Sequence, residues 1–125
     1  MQMITARQLL CRQNAVVVNA IKQSALLIDM PASLTREEFE SSPPSTSSTV
    51  VVYCANWHCS ASERFGNELR SRHFEYVLEF KGGILEWALC ASLYDTFRFT
   101  DHHHTPVEMH SVYQRLLASA EGRYP

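Results

Sequence analysis

The sequence predicts an α/β fold, with a short, mainly parallel sheet carrying helices on both faces. Two continuous β-branched runs, Ala15-Val16-Val17-Val18-Asn19 and Thr49-Val50-Val51-Val52-Tyr53, have the character of strands buried on both sides. Helix starts headed by Thr5, Thr35, Ser60 and Thr105 alternate with the strand patterns. At 125 residues the chain has the length of one domain, expected over 1–125, and enough bulk to bury a core unaided.

Taken in order, Thr5-Ala6-Arg7-Gln8 has capping-box spacing and predicts a short helix through Leu9, Leu10 and Cys11, which Asn14 can stop. The first strand, Ala15–Asn19, follows. Gln23–Pro31 is ambiguous, and Thr35-x-x-Glu38 then predicts a helix over Arg36–Glu40. Ser41–Ser48, rich in serine and proline, reads as a flexible connection to the second strand, Thr49–Tyr53. Ser60-x-x-Glu63 predicts a helix from Ala61 to about Arg72, with Ala61, Phe65 and Leu69 on its apolar face. Tyr76-Val77-Leu78 is the next strand, and Gly82-Gly83 allows a close backbone approach to the preceding loop. Leu85, Trp87 and Leu89 are expected in the core. Phe97–His104 reads as a polar connection. Thr105-Pro106-Val107-Glu108 reads as a helix start leading into a core stripe of Met109, Val112, Tyr113, Leu116, Leu117 and Ala120, closed by Gly122.

A net charge of -2, with 46% hydrophobic and 19% charged residues, gives no basic field to attract nucleic acid or an anionic membrane. No apolar run has the length of a membrane span, and the N-terminus lacks a cleavable apolar segment. The expectation is a cytoplasmic protein without nucleic-acid or membrane partners. On that expectation the four cysteines are free thiols rather than structural disulfides. Cys11 and Cys90 lie in apolar patterns and are expected in the core.

The chemistry concentrates at Cys54. A cysteine at the carboxyl end of a buried strand, facing the N-terminus of the next helix, occupies the crevice where open α/β sheets bind ligands. Backbone amides and the positive helix end favour an anion there, and a thiolate is an anion. Cysteine is also among the most buried residue types, so an inert packed thiol is the plain alternative. Position favours the nucleophile. The loop Ala55-Asn56-Trp57-His58-Cys59-Ser60 would then supply the substrate-binding amides. Cys59 is open between a resolving partner for Cys54 and a wall of the loop.

These residues carry a resemblance. Tyr53-Cys54, the loop to Cys59-Ser60 and Gly82-Gly83-Ile84-x-x-Trp87 resemble the rhodanese-like (sulfurtransferase) domain, in a variant branch whose loop reads Cys-x-Asn-x-x-Cys. Ile28-Asp29-Met30-Pro31-Ala32 is similar to a degenerate form of that family's turn after the first strand. Asn19-Ala20-Ile21 replaces an acidic residue and arginine found in many relatives, so a salt bridge built there is missing. The resemblance implies sulfur transfer from a small donor such as thiosulfate or a persulfide, through a Cys54 persulfide, to a thiol, cyanide or protein acceptor, with no cofactor. Many relatives have an arginine or small residue where Cys59 stands. Losing an arginine removes a bidentate oxyanion clamp, which His58 could replace in part when protonated. The alternative is a non-catalytic rhodanese-like module that binds a partner or senses oxidants through Cys54 and Cys59.

Zinc is the rival chemistry, through Cys54, Cys59 and His58 or through His102-His103-His104 with His110. The cysteine spacing is wider than most zinc knuckles, and three consecutive histidines point in different directions. No metal is expected. A cysteine phosphatase needs an arginine where Ser60 stands, and a thioredoxin-type site needs Cys-x-x-Cys, which is absent.

Overall fold

The computed structural model describes residues 1–21, 29–91, 98–101 and 103–120. In chain order the elements are β1 (Gln2–Met3), α1 (Ala6–Cys11), β2 (Val16–Asn19), α2 (Arg36–Ser41), β3 (Thr49–Tyr53), α3 (Ala61–Ser71), β4 (Tyr76–Phe80), α4 (Gly83–Ala91), β5 (Phe99–Thr100), β6 (Pro106–Val107) and α5 (Met109–Ala120). Strands β1-β4-β3-β2 form one sheet in that order, and every neighbouring pair is parallel. The α/β expectation therefore holds. Among the described residues no helix is long and apolar enough to cross a membrane.

Alternation along β3 builds two cores. Val51 and Tyr53 face Ile84, Trp87 and Val112, from α4 and α5. Val50 and Val52 face Phe39, Phe65 and Leu69, from α2 and α3. All five residues named on the second face are buried, as is Val51, so the continuous β-branched run is covered on both sides. Burying a side chain of this size contributes about 1.5–3 kcal/mol. Phe39 and Phe65 meet edge to face, with centroids 5.8 Å apart.

The Thr5 and Thr35 capping boxes both form. Each threonine side chain accepts from the third helical amide, and Gln8 or Glu38 reaches back to the cap N–H. Past α1, Asn14 adopts φ 62°, a left-handed conformation that asparagine tolerates.

Other expectations fail for local reasons. Ser60 precedes α3 but makes no side-chain cap bond, because its backbone is helical (φ -97°, ψ 0°) where a cap needs extended geometry. The helix start expected at Thr105-Pro106 is instead strand β6, paired antiparallel with β5 in the stretch read as a plain connection. The cause is Asp101: its Oδ1 accepts from His103 N (2.8 Å) and Thr105 N (3.0 Å), closing a hairpin before α5 begins at Met109. Cys11 is exposed because α1 buries Ala6 and Leu9, three residues apart, and Cys11 falls off that face. Leu89 and Tyr113 are exposed for the same reason, beside the buried Ala88 and Val112. Cys90 is half-buried. Residues 23–28, Phe97, His102, Gly122 and the side chains of Leu116, Leu117 and Ala120 lie outside the described ones.

Candidate functional site

β3 ends in a residue held on every side. The Tyr53 hydroxyl accepts from Met30 N (3.1 Å), shares a hydrogen bond with Ser33 Oγ (2.8 Å) and lies 3.5 Å from Asp29 Oδ1. Asn19 Nδ2 donates to the same Asp29 oxygen at 2.8 Å, so Asn19 binds a carboxylate directly where a salt bridge was expected to be lost. Asn19, Asp29, Ser33 and Tyr53 are all buried. Burial, then the Asp29 charge, push the Tyr53 phenol well above its ordinary range, which keeps it protonated. The turn read at Ile28–Ala32 is present from Asp29 on: Ser33 N donates to Met30 O, and Ala32 has φ 60°.

The next residue is Cys54, only 1% exposed. Its carbonyl accepts from Ile84 N (3.0 Å), and the Ala55 carbonyl accepts from Leu85 N (2.9 Å). Two amides in the first turn of α4 are thus satisfied by the backbone of the cysteine loop. The double glycine makes this approach possible. Gly83 has φ 57°, and a Cβ there would run into the Cys54 carbonyl oxygen and lie 2.8 Å from its carbon.

The loop then turns on Asn56, whose Oδ1 accepts from His58 N (2.8 Å) and whose carbonyl accepts from Cys59 N (3.2 Å). Of the amides expected to cradle an anion across residues 55–60, those of His58 and Cys59 are therefore committed to the turn. Trp57 and His58 form its exposed tip, Ser60 is exposed, and Ala55, Asn56 and Cys59 are half-buried. The turn brings Cys59 back to Cys54. The two are joined as a disulfide across a Cα–Cα distance of 6.4 Å, within the range such a bond requires.

Lys81 was not singled out in the sequence. Its Nζ donates to the Cys59 carbonyl at 3.3 Å and lies 3.8 Å from Glu79 Oε2. Glu79 is buried and accepts from the buried Ser62 Oγ at 2.7 Å. A cation is thus held at the closing end of the cysteine loop by a carboxylate that a serine in the first turn of α3 positions. The available signal was its place: Lys81 lies between the end of β4 and the double glycine. Among the described residues no three His, Cys, Asp or Glu side chains are grouped to hold a metal ion, and His104 Nε2 is 3.3 Å from Glu38 Oε2.

No family model and no curated protein matches the chain. Among solved structures it is similar to the crystal structure of the Alr3790 protein from Anabaena sp., with a TM-score of 0.59 and 18% identity over 94% of this chain and 88% of that one. At that identity the likeness speaks for the α/β fold alone.

Proposed function

We propose that the chain is a rhodanese-like sulfurtransferase in which Cys54 carries a sulfane sulfur as a persulfide. The observation that carries this reading is the placement of Cys54 at the carboxyl edge of a parallel sheet, in a tight turn before α3, with Lys81 bonded to the same loop. The reduced Cys54 thiolate attacks the outer sulfur of a donor, forming a new S–S bond while the donor's own bond breaks; thiosulfate would release sulfite. A thiolate, cyanide or protein thiol then takes the outer sulfur and returns Cys54 to the thiolate. Burial opposes the charged thiolate, whereas the lysine and the α3 N-terminus favour it. Lys81 reaches the loop from just past the end of β4, so it supplies a positive charge beyond the partial one expected of His58. It is a point charge and not the bidentate clamp of an arginine, so turnover of thiosulfate should be weak. The cycle starts from free thiols, which suits a reducing compartment such as the cytoplasm.

The Cys54–Cys59 bond specifically supports a second reading, a module that reports oxidants through this pair without transferring sulfur. Sulfur transfer to cyanide from thiosulfate and from a small persulfide decides between them. With cyanide in large excess over the millimolar range, the transferase reading expects thiocyanate from the reduced protein and none from Cys54→Ser. Equal background rates from both proteins with both donors would leave the redox module.

A further inference from the structure

We propose that Cys59 converts the Cys54 persulfide into sulfide, so that the site releases hydrogen sulfide at the expense of a dithiol reductant. The inference rests on the reading of Cys54 as a sulfane-sulfur carrier.

The turn on Asn56 sets the geometry. It leaves the Cys59 sulfur bonded to the Cys54 Sγ, the atom that would be the inner sulfur of a persulfide. Cys59 therefore reaches the inner sulfur without rebuilding the loop. Attack there forms the Cys54–Cys59 bond and breaks the bond between Cys54 Sγ and the outer sulfur. The outer sulfur leaves with the electron pair as HS⁻. The Cys59 proton passes to water, and HS⁻ is free to take one up. The sulfane sulfur is the oxidant, reduced to sulfide, and the two cysteines are oxidised to the disulfide.

Competition favours this step. Two groups tethered through a short loop meet at an effective concentration on the order of millimolar or above. An external acceptor below that level loses the persulfide to Cys59 before it can bind. Cys54 is 1% exposed and Cys59 half-buried, so an incoming reductant meets the Cys59 sulfur first. Attack there expels Cys54 as the leaving thiolate and returns the sulfur carrier to its starting form. A second thiol on the reductant resolves the mixed disulfide. Over the cycle, a persulfide and a dithiol become a thiol, sulfide and the reductant's own disulfide.

A single-turnover experiment tests it. The reduced full chain is mixed with equimolar glutathione persulfide at micromolar concentration, with no added thiol, and both trapped sulfide and intact mass are read. The expected wild-type product is two hydrogens lighter, with Cys54 linked to Cys59 by peptide mapping and sulfide released stoichiometrically. Added dithiothreitol should then make sulfide release catalytic. Cys59→Ala and Cys59→Ser should each end one sulfur heavier, releasing at least ten-fold less sulfide; using both guards against one failing to fold. Wild type that holds the extra sulfur as the variants do would overturn the proposal while leaving Cys54 a carrier. If no protein gains sulfur or releases sulfide, the carrier reading itself falls and takes the proposal with it.

Discussion

Thr35-x-x-Glu38 and Ser60-x-x-Glu63 share one spelling and precede α2 and α3, which pack on the same face of the sheet. At Thr35 the backbone is extended (φ -73°, ψ 166°), and the side chain takes the Glu38 amide at 3.1 Å. At Ser60 the backbone is already helical and the side chain caps nothing. The difference lies upstream. Thr35 is approached by an open segment bridged to β2, whereas Ser60 leaves a loop closed by the Asn56 turn and by the Cys54–Cys59 bond. The first turn of α3 thus receives no side-chain acceptor from Ser60. Its Ser62 hydroxyl binds Glu79, which in turn holds Lys81 at the cysteine loop. One turn closes a helix end; the other keeps its polar groups directed toward the cysteines.

Four substitutions test this difference, from the largest expected effect downward. Gly83→Ala places a Cβ on the Cys54 carbonyl at a positive φ, so it should lower unfolding stability by at least about 2 kcal/mol. Urea denaturation would show this as a lower midpoint, and an unchanged midpoint would mean that α4 does not lean on the loop.

Tyr53→Phe removes the hydroxyl that serves Met30 N and Ser33, and it should cost about 1–3 kcal/mol by leaving buried groups unpaired. Its pH dependence has a definite sign. The folded phenol is raised above its ordinary value, so the unfolded chain loses the proton first. The stabilisation is complete below pH ~10 and is lost as pH rises beyond it. Wild-type stability should therefore fall more steeply than that of Tyr53→Phe in alkaline denaturation series.

The smallest effects are expected at the two helix N-terminal positions, Thr35 and Ser60. Thr35→Ala should cost about 1 kcal/mol, as loss of a formed cap does. Ser60→Ala should stay within about 0.5 kcal/mol of wild type. Equal losses in thermal or urea unfolding would mean that Ser60 caps α3 in solution.

Much of the fold was legible because it is written locally. β3 and β2 are uninterrupted β-branched runs, and the Thr5 and Thr35 boxes place α1 and α2 within a residue of their observed bounds. What was not legible depends on partners distant in sequence. The two-residue β1 exists only as an edge against β4. The β5–β6 hairpin depends on Asp101 binding two amides, which outcompetes the helix-start pattern of Thr105-Pro106. Residues 83–91 carried core expectations but no helix, because α4 begins on carbonyls of Cys54 and Ala55 rather than on a side-chain cap. At the site, the position of Cys54 and the closeness of Gly83 were readable from strand, loop and double glycine. The contact of Lys81 with the Cys59 carbonyl was not, because it joins groups 22 positions apart in the sequence.

Persulfide chemistry at this site requires Cys54 to be an activated thiol, and its alkylation rate against pH measures that most directly. The reduced protein is labelled with iodoacetamide and each cysteine followed by peptide mapping. Cys90 is the internal contrast: burial, then the Glu86 charge, push its thiol up. Cys11 is the exposed rate reference. Cys54 should react fastest near neutrality despite its burial, and Lys81→Met should slow it several-fold by removing the cation at its loop. If Cys54 reacts no faster than Cys11, the loop does not stabilise a thiolate and the persulfide chemistry proposed for it has no basis.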